Sequence, residues 1–334
     1  MKIRYYIILV LTLLLGFNKT EAQEYGGVID IYTNGGCGEK IYVDDIYFGT
    51  SPLIVTLSFG EHKITAKRGG LTAIKRVLIA PTGGDTIVEL KFATHAVDGV
   101  FSISSFKKVY FAKGNLQYKA STKTWRFAEH QWDIIGEDNK NISSSYDGWI
   151  DLFCWGTGDN PTVISIDDDY PRFIDWGKRI PDTGDERWFT LNQDEWEYVF
   201  NKRETNSGIR YAKANVNGVN GVILLPDDWS NLYYSLNNTN NGAAKFNENT
   251  ISQCEWMSSF EARGAIFLPA AGYREKTDIS YIGSFGSYWS ASRDRSVEYY
   301  WVFFVFISDD KLNTNNGFFP YNGGRSVRLV REVE

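Results

Sequence analysis

Residues 187–203, RWFTLNQDEWEYVFNKR, constrain the fold more than any other part of this chain. They predict a helix with a marked start: Thr190 as N-cap and Gln193 as its reciprocal partner three residues on. Asp194 and Glu195 stand in its first turn, Lys202 and Arg203 in its last, the charge order a helix dipole favours. Leu191, Trp196, Val199 and Phe200 form an apolar stripe near helical spacing. A helix of about twelve residues is too short to stand alone in water. It must dock on a larger apolar surface.

That surface is expected from short strands. Residues 24–92 read as all-β, with β-branched runs at 28–32, 40–43, 53–57, 63–66, 74–79 and 86–90, separated by Gly, Asn and Asp clusters. Residues 93–100 read as a short connection. Beyond it, 108–118 and 124–127 predict a hairpin. Asn217-Gly218 and Asn220-Gly221 are turn signals ahead of a buried strand at 222–225. Further strands are expected at 266–268, at the apolar run 299–307 and at 327–330. Residues 159–171, 231–250 and 308–324 read as long polar loops, a length that usually carries function.

The first 22 residues have the form of an export signal. Lys2 and Arg4 precede an apolar run from 5 to 17, and Thr20 and Ala22 give a small-x-small cleavage site. Without Lys2, Arg4, Lys19 and Glu21 the chain holds 32 basic against 40 acidic residues, net −8. Such a balance argues against nucleic acid as partner, and no later segment reads as a membrane span. The expected location is the periplasm, the cell surface or the extracellular space. Three cysteines, Cys37, Cys154 and Cys254, are too few for a disulfide framework. The readings are a Cys154–Cys254 bridge or buried free thiols.

The pattern R-x-x-T-L-x-x-x-E-W-E-Y-x-x-x-x-R resembles the formylglycine-generating-enzyme branch of the C-type lectin-like fold, close to the Fibrobacter succinogenes major paralogous domain. GWIDLFCWGTG (148–158), FIDWG (173–177), GVILLPDDW (221–229), GAIFLPAAGYR (264–274), YWSA (288–291) and RSVRLVR (325–331) follow the same family pattern. IYVDD (41–45), FGTSP (48–52) and FGEH (59–62) resemble the PEGA domain, a small β-sandwich of bacterial envelope proteins, with Asp45 where that family usually has Gly. The resemblance implies two domains: a PEGA-like all-β sandwich over 23–93 and an α+β C-type lectin-like domain over 99–334, whose opening and closing strands pair.

The chemistry of the enzyme branch is not carried over. It needs a reactive cysteine pair near the end of the domain, and no cysteine follows Cys254. Iron held by several histidines has only His130 to draw on in this domain, and a Ser-His-acid triad would need the same residue. His62 reads as a turn histidine packed on its own domain. No cofactor is expected. A structural Ca²⁺ is the one ion the acidic loops suit, with Asp167, Asp169, Asp227 and Asp309 as donors, although such clusters are more often caps or solvated faces.

The expectation is therefore a non-enzymatic exported protein that binds a protein or glycan at the cell surface through its C-terminal loops. The candidate ligand residues are Trp289, Arg293, Asp294, Arg295, Asn313, Asn315, Asn316, Phe318 and Tyr321, which join rigid rings to small hydrogen-bonding groups. The alternative is a structural component of a surface assembly. A sulfatase-modifying type of enzyme is the remote one.

Overall fold

The computed structural model describes residues 26–33, 38–68, 71–81, 86–90, 95–164, 172–180, 187–294, 301–320 and 323–333. The chain is β-rich, 46% strand against 13% helix, so its helices can only be short pieces laid on sheets. The expected export signal over residues 1–22, Cys37, Asp167, Asp169, Arg295 and Tyr321 lie outside the described residues.

The N-terminal region builds two sheets from β1 (Gly26–Thr33), β2 (Lys40–Val43), β3 (Ile46–Thr50), β4 (Leu53–Ser58), β5 (Gly60–Arg68), β6 (Leu71–Ile79) and β7 (Thr86–Leu90). One has the order β4-β1-β7, the other β3-β2-β5-β6. Alternation along each strand sends Ile29, Ile31, Leu57 and Val88 from the first sheet and Ile41, Val43, Ile64 and Ala66 from the second into one shared apolar cluster. The 48–52 turn signal resolves into β3, a bend and a cis Ser51–Pro52 bond. Asp44 and Asp45 both take positive φ, 47° and 68°, so Asp45 fills the place of the expected glycine in a tight hairpin turn.

The expected connection at 93–100 is largely strand. β8 (Ala96–Ser102) pairs with β9 (Lys108–Ala112), and β9 pairs on its other side with the last strand of the chain. The expected hairpin is made instead by β10 (Leu116–Lys119) and β11 (Thr124–Phe127), with β12 (Trp149–Ile150) on the free edge of β10. Then follow β13 (Trp188–Phe189), the signature helix α1 (Gln193–Glu197), β14 (Tyr211–Val216), β15 (Val219–Leu224) and β16 (Thr250–Ile251). A second short helix, α2 (Gln253–Glu255), leads to β17 (Ile266–Pro269), and β18 (Tyr273–Glu275) pairs with β19 (Asp278–Ser280).

β14 and β15 are joined by Asn217 and Gly218, with φ of 50° and 84°, as the Asn-Gly signal predicts. The last part of the chain is a three-stranded sheet of β20 (Phe285–Asp294), β21 (Trp301–Ser308) and β22 (Leu312–Pro320), then β23 (Val330–Glu332). Two expectations are corrected here. Residues 308–324 are not an open loop, since β22 occupies much of the segment. The closing strand begins at Val330, while the preceding RSVRL runs extended, with Val327 and Leu329 main-chain carbonyls accepting from Leu116 and Ala112. Val330 faces Phe111 across β23 and β9, so the closing strand pairs with the second strand of this region and not with β8, which opens it.

The signature helix is docked as its stripe predicts: Leu191, Trp196, Val199 and Phe200 are fully buried. Its cap is shifted. Asn192, not Thr190, is the N-cap; its side chain accepts from Glu195 N at 2.9 Å, while Glu195 Oε2 accepts from Asn192 N at 2.8 Å. Thr190 is held by Asp175 instead. Past Glu197 the turn widens into a π-helical stretch over Tyr198–Lys202. Residues 252–260, SQCEWMSSF, repeat the device of 192–200, NQDEWEYVF. Ser252 and Glu255 form a second capping box, Trp256 and Phe260 are buried, and the turn again widens into π-helix. Where this second helix ends, Gly264 (φ 82°) meets Gly99 of β8 so closely that a Cβ on Gly99 would lie 1.9 Å from the Gly264 carbonyl oxygen.

Candidate functional site

The C-terminal sheet carries most of the sequence-predicted ligand residues, and it separates them. Trp289 lies in the core, 0% exposed, with its indole N–H donated to the Phe153 carbonyl at 2.7 Å and the Arg325 guanidinium 5.0 Å from its ring. It is a packing residue and does not belong to a binding surface. Arg293 is half-buried on β20 opposite Val302, and Asp294 closes that strand opposite Trp301. Asn313 is half-buried and Asn315 exposed on β22. Asn316 and Phe318 belong to β22 by backbone; their side chains lie outside what the structure describes.

β22 is fixed from beneath by the signature helix. Gln193 Nε2 donates to Asn315 Oδ1 at 2.8 Å, Asn201 Nδ2 donates to Thr314 Oγ1 at 3.3 Å, and the Thr314 hydroxyl donates to Glu197. Asn313 Oδ1 accepts from Asn315 N at 2.9 Å. A run of small polar residues is thereby held as a strand and not left as a flexible loop. Its exposed amide groups stand on a scaffold that loses little conformational entropy when something binds.

The two acidic calcium candidates among the described residues, Asp227 and Asp309, are occupied by protein. Asp227 accepts from Arg203 Nη1 at 3.0 Å through one oxygen, and from the backbone N–H and hydroxyl of Ser102 at 3.0 and 2.6 Å through the other. Asp309 accepts from Phe246 N at 3.0 Å and pairs with Lys245 at 3.1 Å. These hydrogen bonds hold its carboxyl below the usual range. Both are caps and braces. Among the described residues, no three His, Cys, Asp or Glu side chains gather around a common point that suits a metal ion.

The cysteines also divide. Cys254 is in a disulfide, and Cys154 is a buried free thiol, so the Cys154–Cys254 bridge is not made. Burial pushes the Cys154 thiol up, against the pull of the neighbouring Arg274 and Arg325. A thiol held protonated is a poor nucleophile.

One histidine constellation resembles a catalytic triad at first sight. His62 Nδ1 is 2.7 Å from Asp44 Oδ2, and Ser58 Oγ is 3.4 Å from His62 Nε2. The Nε2 atom, however, lies closer to the Ser58 carbonyl, at 2.9 Å, which can only accept. Nε2 must therefore carry a proton and cannot take one from the hydroxyl. Burial lowers the affinity of His62 for its second proton, but the hydrogen bonds from the ring to Asp44 and Ser58, with the Asp44 charge, outweigh it and raise the net value. His62 pins the β4–β5 turn to the β2–β3 turn, a structural role as the sequence suggests.

The structure also shows a concave site that sequence reading passed over. A cleft of about 410 Å³ is lined by Gln117, Arg126, Trp132, Asp133, Ile134, Ile135 and Val219. The neighbouring sequence RFAEHQWD draws attention to His130 alone. His130 itself stacks on Trp132, with ring centroids 4.8 Å apart, and bonds to Asp133. The available signal was the alternation in the 116–127 hairpin, which leaves Gln117 and Arg126 together on the face away from the core. Compared with family models, with curated proteins and with solved structures, the chain matches none.

Proposed function

We propose that the chain is an exported, non-enzymatic binding protein of the cell envelope, in which a PEGA-like β-sandwich precedes a C-type lectin-like domain of the formylglycine-generating-enzyme type. Two features support this architecture. Two N-terminal sheets share one apolar cluster. The last strand pairs with the second strand of the C-terminal region, Val330 with Phe111. The absence of a cysteine after Cys254 speaks against the enzyme branch at the position where its chemistry resides.

The observation that carries the binding reading is the seating of β22 on the signature helix through Gln193–Asn315 and Thr314–Glu197. It presents a polar, preorganised strand edge, suited to a protein or glycan ligand. Hot spots favour Arg and Tyr over small polar residues. Alanine at Arg293, Arg295 or Tyr321 should each weaken binding by at least about 1 kcal/mol. The test is a glycan array and a displayed peptide library probed with the whole chain, followed by titration of each variant against the best hit. Unchanged affinity in all three would move the site elsewhere.

The second reading, a structural component of a surface assembly, draws on the N-terminal sheets. Val28, Ile54 and Ile87 on one and Ile46, Ile74 and Leu78 on the other are large apolar side chains left exposed, Leu78 to 71%. Sedimentation mass across a concentration series separates the two: a monomer at all concentrations favours the binding module.

A further inference from the structure

We infer that the cleft between the β10–β11 hairpin and residues 132–135 is a binding site for a neutral saccharide of one or two rings. This inference stands apart from the C-terminal surface and uses none of its residues.

The argument begins with one side chain. Arg126 faces Gln117 across β10 and β11, and its Nε donates to Gln117 Oε1 at 2.7 Å. The guanidinium lies over the Trp149 ring of β12, 3.8 Å from its centroid. Stacking and the Nε bond together fix the plane of the group. Its two Nη groups make no hydrogen bond among the described residues, so a fixed pair of donors is presented to the cleft that Arg126 lines.

The opposite polarity is supplied by Asp133. One of its oxygens accepts from His130 N at 2.9 Å, which orients the carboxylate in the cleft wall. Gln117 is 98% buried and brings an amide, donor and acceptor in one group, to the lining. Trp132, Ile134, Ile135 and Val219 supply apolar surface. The wall is anchored from below. The fully buried Asp151 accepts from Ile135 N at 3.0 Å and from Asn139 Nδ2 at 2.8 Å.

The charge balance selects among ligands. Burial lowers the Arg126 guanidinium from its ordinary value, while Asp133 and Glu129 act in the other direction. Arg126 and His130, whose proton affinity is raised by its bond to Asp133, stand beside the carboxylates of Asp133 and Glu129, so the cleft carries no net positive field and an anionic ligand would gain at Arg126 and lose at Asp133. Sugar hydroxyls are donors and acceptors at once, and the C–H face of a pyranose is apolar. Fixed donors, a fixed acceptor and an apolar wall therefore match a neutral ring better than a carboxylate or a hydrocarbon. The volume, about 410 Å³, is in the range of small-ligand pockets.

The test titrates the whole chain, by calorimetry and saturation-transfer NMR, with glucose, galactose, mannose, N-acetylglucosamine and cellobiose, and with glucuronate as the acidic comparator. The expected result is saturable binding of at least one neutral sugar. Arg126→Met, which keeps the stem over Trp149, and Asp133→Asn should each weaken it by about tenfold or more, since a hydrogen bond to a charged group is worth about 1.5–3 kcal/mol. Phe106→Ala, at a side chain 90% exposed between β8 and β9, should leave it unchanged. Arg126 is exposed, so the Met variant should fold, and its melting temperature verifies that. The inference is overturned if no neutral sugar binds below about 10 mM, if Arg126→Met binds as the parent does, or if glucuronate or a peptide displaces the neutral sugars as the preferred ligand.

Discussion

Arg203 and Asp227 form an ion pair, 3.0 Å from Nη1 to Oδ1, that joins the end of the signature helix to the turn after β15. The Arg203 side chain is wholly buried and the Asp227 side chain is 17% exposed. Three more N–H groups of the guanidinium go to main-chain carbonyls: Nε to Val199, Nη2 to Arg210 and Leu225. Asp227 uses its second oxygen to hold Ser102 at the end of β8. One pair therefore ties together three segments that sequence places far apart.

Removing one partner of such a pair strands the other. Asp227→Ala leaves a buried guanidinium without its counter-charge and frees Ser102, a loss of about 3–5 kcal/mol. Chemical denaturation should show an unfolding free energy lower by that amount. Arg203→Met strands Asp227 in turn and leaves the Val199, Arg210 and Leu225 carbonyls without their donor, so it should cost at least as much. An Asp227→Ala variant as stable as the parent would mean that Ser102 and the three carbonyls suffice without the ion pair.

Trp196 is the second structural anchor. It is 0% exposed, lies 5.9 Å from the Phe111 ring and 6.1 Å from Phe200, and donates its indole N–H to the Trp289 carbonyl at 3.3 Å. Truncating a buried Trp costs about 3–5 kcal/mol, so Trp196→Ala should lower the melting temperature steeply or abolish soluble yield. Trp196→Phe, which keeps most of the packing, should recover more than half of the loss.

The contrast between Trp196 and the residues near it shows how far sequence carries. The apolar stripe and the charge order of 187–203 were legible because a docked helix must repeat near 3.6 residues. The cap was not. Thr190 and Asn192 are both good N-caps, with Gln193 and Glu195 three residues after each, and only the tertiary bond from Asp175 to Thr190 decides between them. β22 was missed because Asn313, Thr314, Asn315 and Asn316 have the composition of a turn. Pairing with β21 and support from Gln193 override that local preference. The cleft at Arg126 draws residues from three separate stretches, 117–126, 132–135 and 219, and nothing periodic along the chain announces such convergence.

His62 makes the stability of the N-terminal sheets pH-dependent. Its folded affinity for the second proton is raised by Asp44 and the Ser58 carbonyl, so the folded state holds that proton more tightly than the unfolded chain. The stabilisation is fully present below the unfolded value, about 6.5, and is lost as pH rises through the higher folded value. The loss should be visible as a melting temperature that falls from about pH 6 to about pH 8.5 in the parent and falls less in His62→Gln. Direct titration of the His62 ring by NMR gives the sign independently. A midpoint below the ordinary histidine value would show that burial, the opposing effect, prevails.

The free thiol supplies the last expectation. Cys154 is 0% exposed, its Sγ donates to the Val163 carbonyl at 3.3 Å, and Arg274 Nη2 approaches the sulfur at 3.6 Å. Cys254 is in a disulfide and offers no thiol. An alkylating reagent needs both access and thiolate, and burial denies Cys154 each of them. Non-reduced native protein should therefore resist iodoacetamide, and denaturant should expose one reactive thiol, mapped to Cys154 by peptide mass. The approach to completion should follow the opening of the core that holds Phe153, Trp155 and Trp176, and not the reagent concentration, if opening limits the reaction. Rapid labelling of the native chain at Cys154 would show that residues 152–163 open locally. Three reactive thiols on unfolding without reductant, in place of one, would show that the Cys254 bridge does not form in solution.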